Sequence, residues 1–267
     1  MKNIVKSFGL LGYFIATQCL ATVALIFYKY YTDEDWLYAV NDCILENGVV
    51  STEYFRLVSE ILFPALILAD IIVIAPMLFY AYRKKESVFQ KITKKESISL
   101  FRLAIFINLI VSAVVSWLPD MATNDYNQMM SIVTNGKFGI VLLTSGILAP
   151  IIEELIFRYG ICGIFSKKSE QAQIVVSALL FGIAHWNIIQ STYAFLFGLF
   201  LGYLYVKTKN LTYPVLFHLV VNSSSVIYEY APKTLQTAGI CFAILCGASF
   251  VFQRGLTKTK EQKIQSC

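Results

Sequence analysis

Apolar residues run along this chain in long, nearly unbroken stretches instead of recurring every three or four positions as they do in a surface helix. Eight stretches stand out, near Phe8 to Tyr28, Ile61 to Tyr82, Leu100 to Leu118, Phe138 to Phe165, Ala172 to Ile189, Tyr193 to Val206, Tyr213 to Tyr228 and Leu235 to Phe252. About 20 apolar residues suffice for a helix to cross a bilayer's hydrocarbon core, and each stretch reaches or approaches that length, the sixth being the shortest. The pattern predicts an all-α, polytopic transmembrane helical bundle of about eight spans. The longest connections, roughly Lys29 to Glu60 and Arg83 to Ser99, are too short for an independent core. No internal repeat breaks the chain up, so residues 1–267 read as a single integral membrane domain.

Composition supports this reading. The chain is 57 % hydrophobic with a mean hydropathy of +0.63, more apolar than one soluble core requires. Charge then sets orientation, because short loops rich in Lys and Arg stay in the cytosol. Basic residues collect at Lys2 and Lys6, from Arg83 to Lys95, at Lys167 and Lys168, at Lys207 and Lys209, and from Arg254 to Lys263. The alternate connections carry Asp33, Glu34, Asp35, Asp42, Glu46, Glu53, Asp120, Asp125 and Glu229. Eight spans in the cell (plasma) membrane with both termini cytosolic satisfy the alternation. The net charge of +5 is therefore topological and gives no reason to expect nucleic acid. The first span has a long apolar run with no convincing cleavage site after it, and reads as a retained anchor. The six cysteines form no disulfide framework, and the terminal Gln-Ser-Cys lacks the C-a-a-X arrangement for prenylation.

Ionisable groups in mid-bilayer are costly, so their positions carry the functional signal. Glu154 and Arg158 lie four apart on one helix face and can pair. Glu153 points about 100° away and cannot naturally share that arginine. It either finds a donor on another helix and locks packing, or serves chemistry. Phe181 and His185, and then His218 and Asn222, repeat the four-residue spacing on later segments. The chain's two histidines both belong to such pairs. Gly182 and Ala184 leave room for a close neighbouring helix.

Brought together, these groups supply the parts for amide hydrolysis. Glu153 can take a proton from a water that His185 orients. His218 and Asn222 can donate to the oxyanion of a tetrahedral intermediate. The same atoms could instead form a two-His, one-Glu zinc site, although the H-E-x-x-H motif is absent and zinc is not required by the argument. Convergence of the three segments is itself an expectation. Counted from the cytosolic lysines at about 1.5 Å per residue, Glu153, His185 and His218 lie at unequal depths of about 21, 25 and 14 Å.

The ordered set Glu153-Glu154-Leu-Ile-Phe157-Arg158, Phe181-Gly-Ile-Ala-His185 and His218-Leu-Val-Val-Asn222 resembles the three motifs of the CAAX prenyl protease and bacteriocin-processing family, also called Abi or CPBP intramembrane proteases. The resemblance covers about residues 138 to 228, the catalytic core region. It implies an intramembrane endopeptidase acting on a membrane-associated peptide or protein, with Glu153 as water activator, His185 its partner, His218 and Asn222 on the oxyanion, and Glu154 and Arg158 as support. Family members are often labelled metalloproteases, so a metal stays open. The resemblance also implies bacterial roles in peptide maturation, bacteriocin self-immunity or control of a membrane sensor kinase.

Three function classes follow: a peptidase, a non-catalytic adaptor for a sensor kinase or bacteriocin receptor, and a proton-coupled transporter. The last should show inverted repeats and broken helices in pairs, and ranks last. Among the remaining polar residues, Asp70 and Arg102 are expected to form a structural pair, and the Arg83 to Lys95 cluster to meet anionic lipid. Tyr28, Tyr30, Tyr31 and Trp117 fit an interfacial belt.

Overall fold

A computed structural model describes residues 2–43, 51–116, 118, 120–232, 234–235, 244–245 and 247–249. The described residues are helical, with no strand. The order is α1 (Lys2–Thr32), α2 (Glu34–Cys43), α3 (Thr52–Lys84), α4 (Lys94–Ser116), α5 (Asp120–Asn135), α6 (Phe138–Val141), α7 (Ala149–Glu154), α8 (Glu170–Ile183), α9 (Ile188–Thr208) and α10 (Thr212–Tyr230). Two π-helical stretches, Leu142–Leu148 and Leu155–Cys162, join α6 and α7 into one continuous rod, Phe138–Cys162.

Local chemistry sets the helix ends. Ser51 caps α3 by accepting from the Tyr54 amide at 3.3 Å. Lys85 ends that helix in the left-handed region at φ 56°, where the Glu86 amide folds back onto the Ala81 carbonyl at 3.1 Å. Ahead of α4, Thr93 and Glu96 form a reciprocal capping box: the Glu96 amide donates to Thr93 Oγ1 at 3.2 Å, and Glu96 Oε2 accepts from the Thr93 amide at 2.8 Å. Tyr213 Oη donates to the other Glu96 oxygen at 2.6 Å and joins α10 to this cap. The Thr93 bonds above all, and then Tyr213, hold the Glu96 carboxyl down at about 2.

Packing uses small residues where backbones come close, as association without a hydrophobic drive requires. α1 meets α3 at Ala21, Ala65 and Ala69. α8 and α9 press together at Ala178 and Gly198, where a Cβ on Gly198 would stand 2.9 Å from the Ala178 Cα. A core of Leu11, Phe14, Ile156, Phe157 and Phe181 fills the space between α1, the rod and α8. The loop after α3 is tied to the turn before α10: the Asn210 side chain bonds the Gln90 amide and carbonyl, and the Leu211 amide reaches Val88 O at 3.1 Å.

Among the described residues four helices are long and apolar enough to cross a membrane, Lys2–Thr32, Thr52–Lys84, Phe138–Cys162 and Ile188–Thr208, so the count of eight spans is not confirmed. Two sequence expectations need correction. The segment Ala172 to Ile189 is not one helix: α8 stops at Ile183, Trp186 turns the chain at φ 57°, and Asn187 restarts it by capping the amides of Ile189 and Gln190. His185 sits in that turn. Two stretches read as connections, 34–43 and 120–135, are helices instead. Most of the eighth apolar stretch, together with Trp117, Cys241, Cys246, Cys267 and the basic residues from Arg254 on, lies outside the described residues.

Candidate active site

The site is built around a defect in the rod. Pro150 has no backbone N–H, so the carbonyls one turn before it, Ser145 and Gly146, lose the donor that an ordinary residue would supply. α10 supplies both replacements: Asn222 Nδ2 donates to Ser145 O at 3.1 Å and Ser223 Oγ to Gly146 O at 2.9 Å. A Cβ at Gly146 would meet Ser223 Oγ at 3.1 Å, so glycine allows this approach. The π-helical turns on either side of α7 are the kind of helical irregularity that recurs at functional sites.

Glu154 and Arg158 are both fully buried, and the Arg158 Nε donates to Glu154 Oε2 at 2.7 Å. A buried ion pair needs further hydrogen bonds to offset its desolvation. Arg158 Nη1 reaches Ser177 Oγ at 2.6 Å, Ser177 in turn donates to Phe157 O at 2.8 Å, and the guanidinium lies 5.0 Å from the centre of the Phe181 ring. Glu154 spends its second oxygen on His218, whose Nδ1 stands 3.0 Å from Oε1. An ionised carboxylate only accepts, so Nδ1 carries the proton and Nε2 of a neutral ring is left with its lone pair outward.

That Nε2 lies 3.6 Å from Glu153 Oε2. The Glu153 oxygen is buried and has no hydrogen-bond partner, the one such side-chain atom among the described residues. Two acceptors this close repel unless a proton donor lies between them, and a gap beyond direct bonding distance is one a water can bridge. Asp70, buried on α3, is electrostatically coupled to Glu153 as well. It forms no ion pair with Arg102, so the expected structural pair between those two is not there.

His185 donates from Nδ1 to Phe181 O at 2.8 Å, leaving its Nε2 free. Its ring and that of His218 pack edge-on against Phe181, with centroids 4.8 and 5.7 Å away. Both histidines, Ser145 and Asn222 line one cavity of about 330 Å³ between α3, α4, α5, α9 and α10. Its walls are mostly apolar, with Met129, Met130 and Val133 supplied by α5.

The structure therefore brings together Glu153, Glu154, Arg158 and His218 in direct contact, with His185 and Asn222 on the adjoining cavity wall. It puts His218 rather than His185 against Glu153: His185 has no ion pair with Glu153. Sequence reasoning missed Ser177, Ser145 and α5. Ser177 carried a signal, since it lies four residues before Phe181 and so on the same face of α8. Ser145 acts through its carbonyl, which no residue type announces.

A zinc ion would need three donors converging on one point, and no group of three or more His, Cys, Asp or Glu side chains among the described residues does so. Without a third convergent donor among the described residues the set does not fit that ion, and the chemistry below is derived from the side chains alone.

Comparison with known proteins bears on the same stretch. Residues 135–224 match the family model described as type II CAAX prenyl endopeptidase Rce1-like. The chain is 31 % identical over 94 residues to the Bacillus subtilis (strain 168) protein named "Putative membrane peptidase YdiL", covering 35 % of this chain and 38 % of that one. It is 27 % identical over 146 residues to the Staphylococcus aureus (strain USA300) protein named "Membrane-embedded CAAX protease MroQ", covering 52 % and 59 %. The matches thus span less than two thirds of either relative. No solved structure matches. The motif-bearing stretch, 135–224, is thus similar to the Rce1-like CAAX prenyl endopeptidases and is carried in a helical membrane protein.

Proposed function

We propose that the chain is an intramembrane endopeptidase that hydrolyses a peptide bond of a membrane-associated peptide or protein with a water activated by Glu153. The observation that carries the reading is the pair of acceptors, Glu153 Oε2 and His218 Nε2, held 3.6 Å apart, with His218 itself lining a mostly apolar cavity. A water between them donates to both. As its oxygen attacks the substrate carbonyl, the departing proton passes to Glu153, and general-base assistance of this kind contributes typically about 10²- to 10⁴-fold. The same proton then reaches the leaving amine, which closes the cycle. Glu154 and Arg158 keep His218 in one tautomer throughout.

His185 Nε2 and the second N–H of Asn222 are the groups available on the cavity wall to meet the carbonyl oxygen as it gains charge. His185 does so as a donor when its ring is protonated. This assignment differs from one in which His185 serves Glu153, because the contact with Glu153 is made by His218. The substrate reaches the site through the bundle, and the basic loops around Lys84 to Lys95 and Lys207 to Lys209 face the cytosol. Maturation of a bacterial peptide or self-immunity is the physiological setting the reading favours.

The test is a comparison of membrane and secreted peptides by mass spectrometry in cells carrying the wild type, Glu153→Gln or a deletion. The expected result is that Glu153→Gln accumulates in the membrane yet gives the peptide profile of the deletion. A wild-type profile and phenotype from Glu153→Gln would instead mark a non-catalytic adaptor for a sensor kinase or a bacteriocin receptor.

A further inference from the structure

The cavity continues past the candidate active site, and its far end carries a charge that the hydrolytic reading leaves unused. His218, Asn222, Ser225 and Glu229 all line it. Their spacing of four, three and four residues puts them on one face of α10, so a continuous stripe runs from the proposed chemistry to Glu229. Glu229 is the only Asp, Glu, Lys or Arg among the lining residues. It is exposed, so it stands where the cavity opens, and it has no ion-pair partner among the described residues. Tyr126 of α5 and Tyr193 of α9 line the same cavity. Beside this stripe the lining is mostly apolar, with Phe63, Met130, Val221 and Val226.

We infer that Glu229 is a specificity subsite that receives a cationic nitrogen of the substrate peptide, either a Lys or Arg side chain or a free amino terminus. The inference rests on the peptidase reading and adds to it the class of peptide preferred. A carboxylate at the mouth of a cavity with low-dielectric walls attracts a cation more strongly than one on an open surface and rejects an anion. The eleven residues from His218 to Glu229 rise about 16 Å along a helix. An extended peptide advances about 3.3 Å per residue, so the cation belongs about five residues from the bond to be cut, with apolar residues between.

The test uses the full chain with Glu153→Gln, reconstituted in nanodiscs, and a pool of randomised ten-residue peptides, half of it N-acetylated, with retained peptides read by mass spectrometry. Peptides bearing Lys or Arg are expected to be enriched about tenfold over the input, the ratio that about 1.4 kcal/mol of charge pairing produces. Adding Glu229→Gln removes the enrichment, and Glu229→Lys turns it towards Asp and Glu. Enrichment confined to the unacetylated half assigns the site to an amino terminus, and enrichment in both halves assigns it to a side chain. A pool with no cationic preference, or a preference that survives Glu229→Gln, overturns the subsite. Failure of the peptidase reading looks different: the preference and its dependence on Glu229 persist while the wild-type chain cleaves none of the retained peptides.

Discussion

The Nδ1 atom of His218 lies 3.0 Å from Oε1 of Glu154, a contact across 64 residues of chain that ties α10 to the rod and fixes which imidazole nitrogen faces Glu153. Glu154 can play this part because Arg158 neutralises it from one turn away. The proposed base, Glu153, and its support, Glu154, are adjacent residues with opposite fates: one is fully paired, and the other keeps an oxygen without a partner.

That division predicts a separation of phenotypes. Glu153→Gln is expected to lower peptide hydrolysis by about 10²-fold or more while leaving thermal stability in detergent near wild type, because the oxygen it alters makes no hydrogen bond to another protein group. Turnover assays and a melting curve on the same preparation check both halves.

Arg158→Leu should do the reverse. Breaking a buried pair by removing one partner leaves Glu154 uncompensated and costs about 3 to 5 kcal/mol. Ser177→Ala, which removes one bond to the guanidinium, should cost only about 1 to 3 kcal/mol. Denaturant unfolding that ranks the two variants the other way round would remove the picture of a buried network centred on Arg158.

Asp70 offers a test of opposite sign. Its carboxylate is buried and feels the charge of Glu153, and among the described residues no arginine pairs with it. Asp70→Asn keeps the shape and removes a like charge, so it should stabilise the fold, on the order of 1 kcal/mol at an effective dielectric of about 20. A fall in melting temperature would show that Asp70 is held by bonds its carboxylate alone can make.

The capping box of α4 sets a pH window. Glu96 titrates at about 2 in the folded chain, well below the ordinary 4.5, chiefly through its bonds from Thr93. A depressed folded value means the cap's contribution is fully present above about 4.5 and is lost as pH falls through about 2. Hydrogen exchange at the first amides of α4 should therefore stay protected at pH 4 and open near pH 2, whereas Glu96→Gln should make protection there independent of acid.

Close packing of α8 on α9 has its own signature. A side chain at Gly198 meets backbone, not a flexible tip, so Gly198→Val is expected to cost about 1 to 3 kcal/mol or to shift one helix along the other. Since α8 carries Phe181 and leads into His185, loss of hydrolysis should accompany loss of stability, measurable as a lower melting temperature and lower turnover together.

What the sequence determined by itself was the membrane class, the helical content and the identity of the polar groups. Apolar runs of near-bilayer length permit little besides helices, and a carboxylate or imidazole inside such a run stands out. The four-residue spacings of Glu154 with Arg158 and of Phe181 with His185 were legible for the same reason, since a helix converts them into a shared face; the first is an ion pair and the second an edge-on ring contact. Tertiary structure decided the pairing between segments. Nothing in the spacing distinguishes His185 from His218 as neighbour of Glu153; the turn at Trp186 and the carbonyls freed by Pro150 do so, because each acts through backbone geometry and long-range contact. The cavity, too, belongs to the fold alone. It exists because α5, an element with almost no apolar bias of its own, lies across the space between helices that the sequence treats as separate spans.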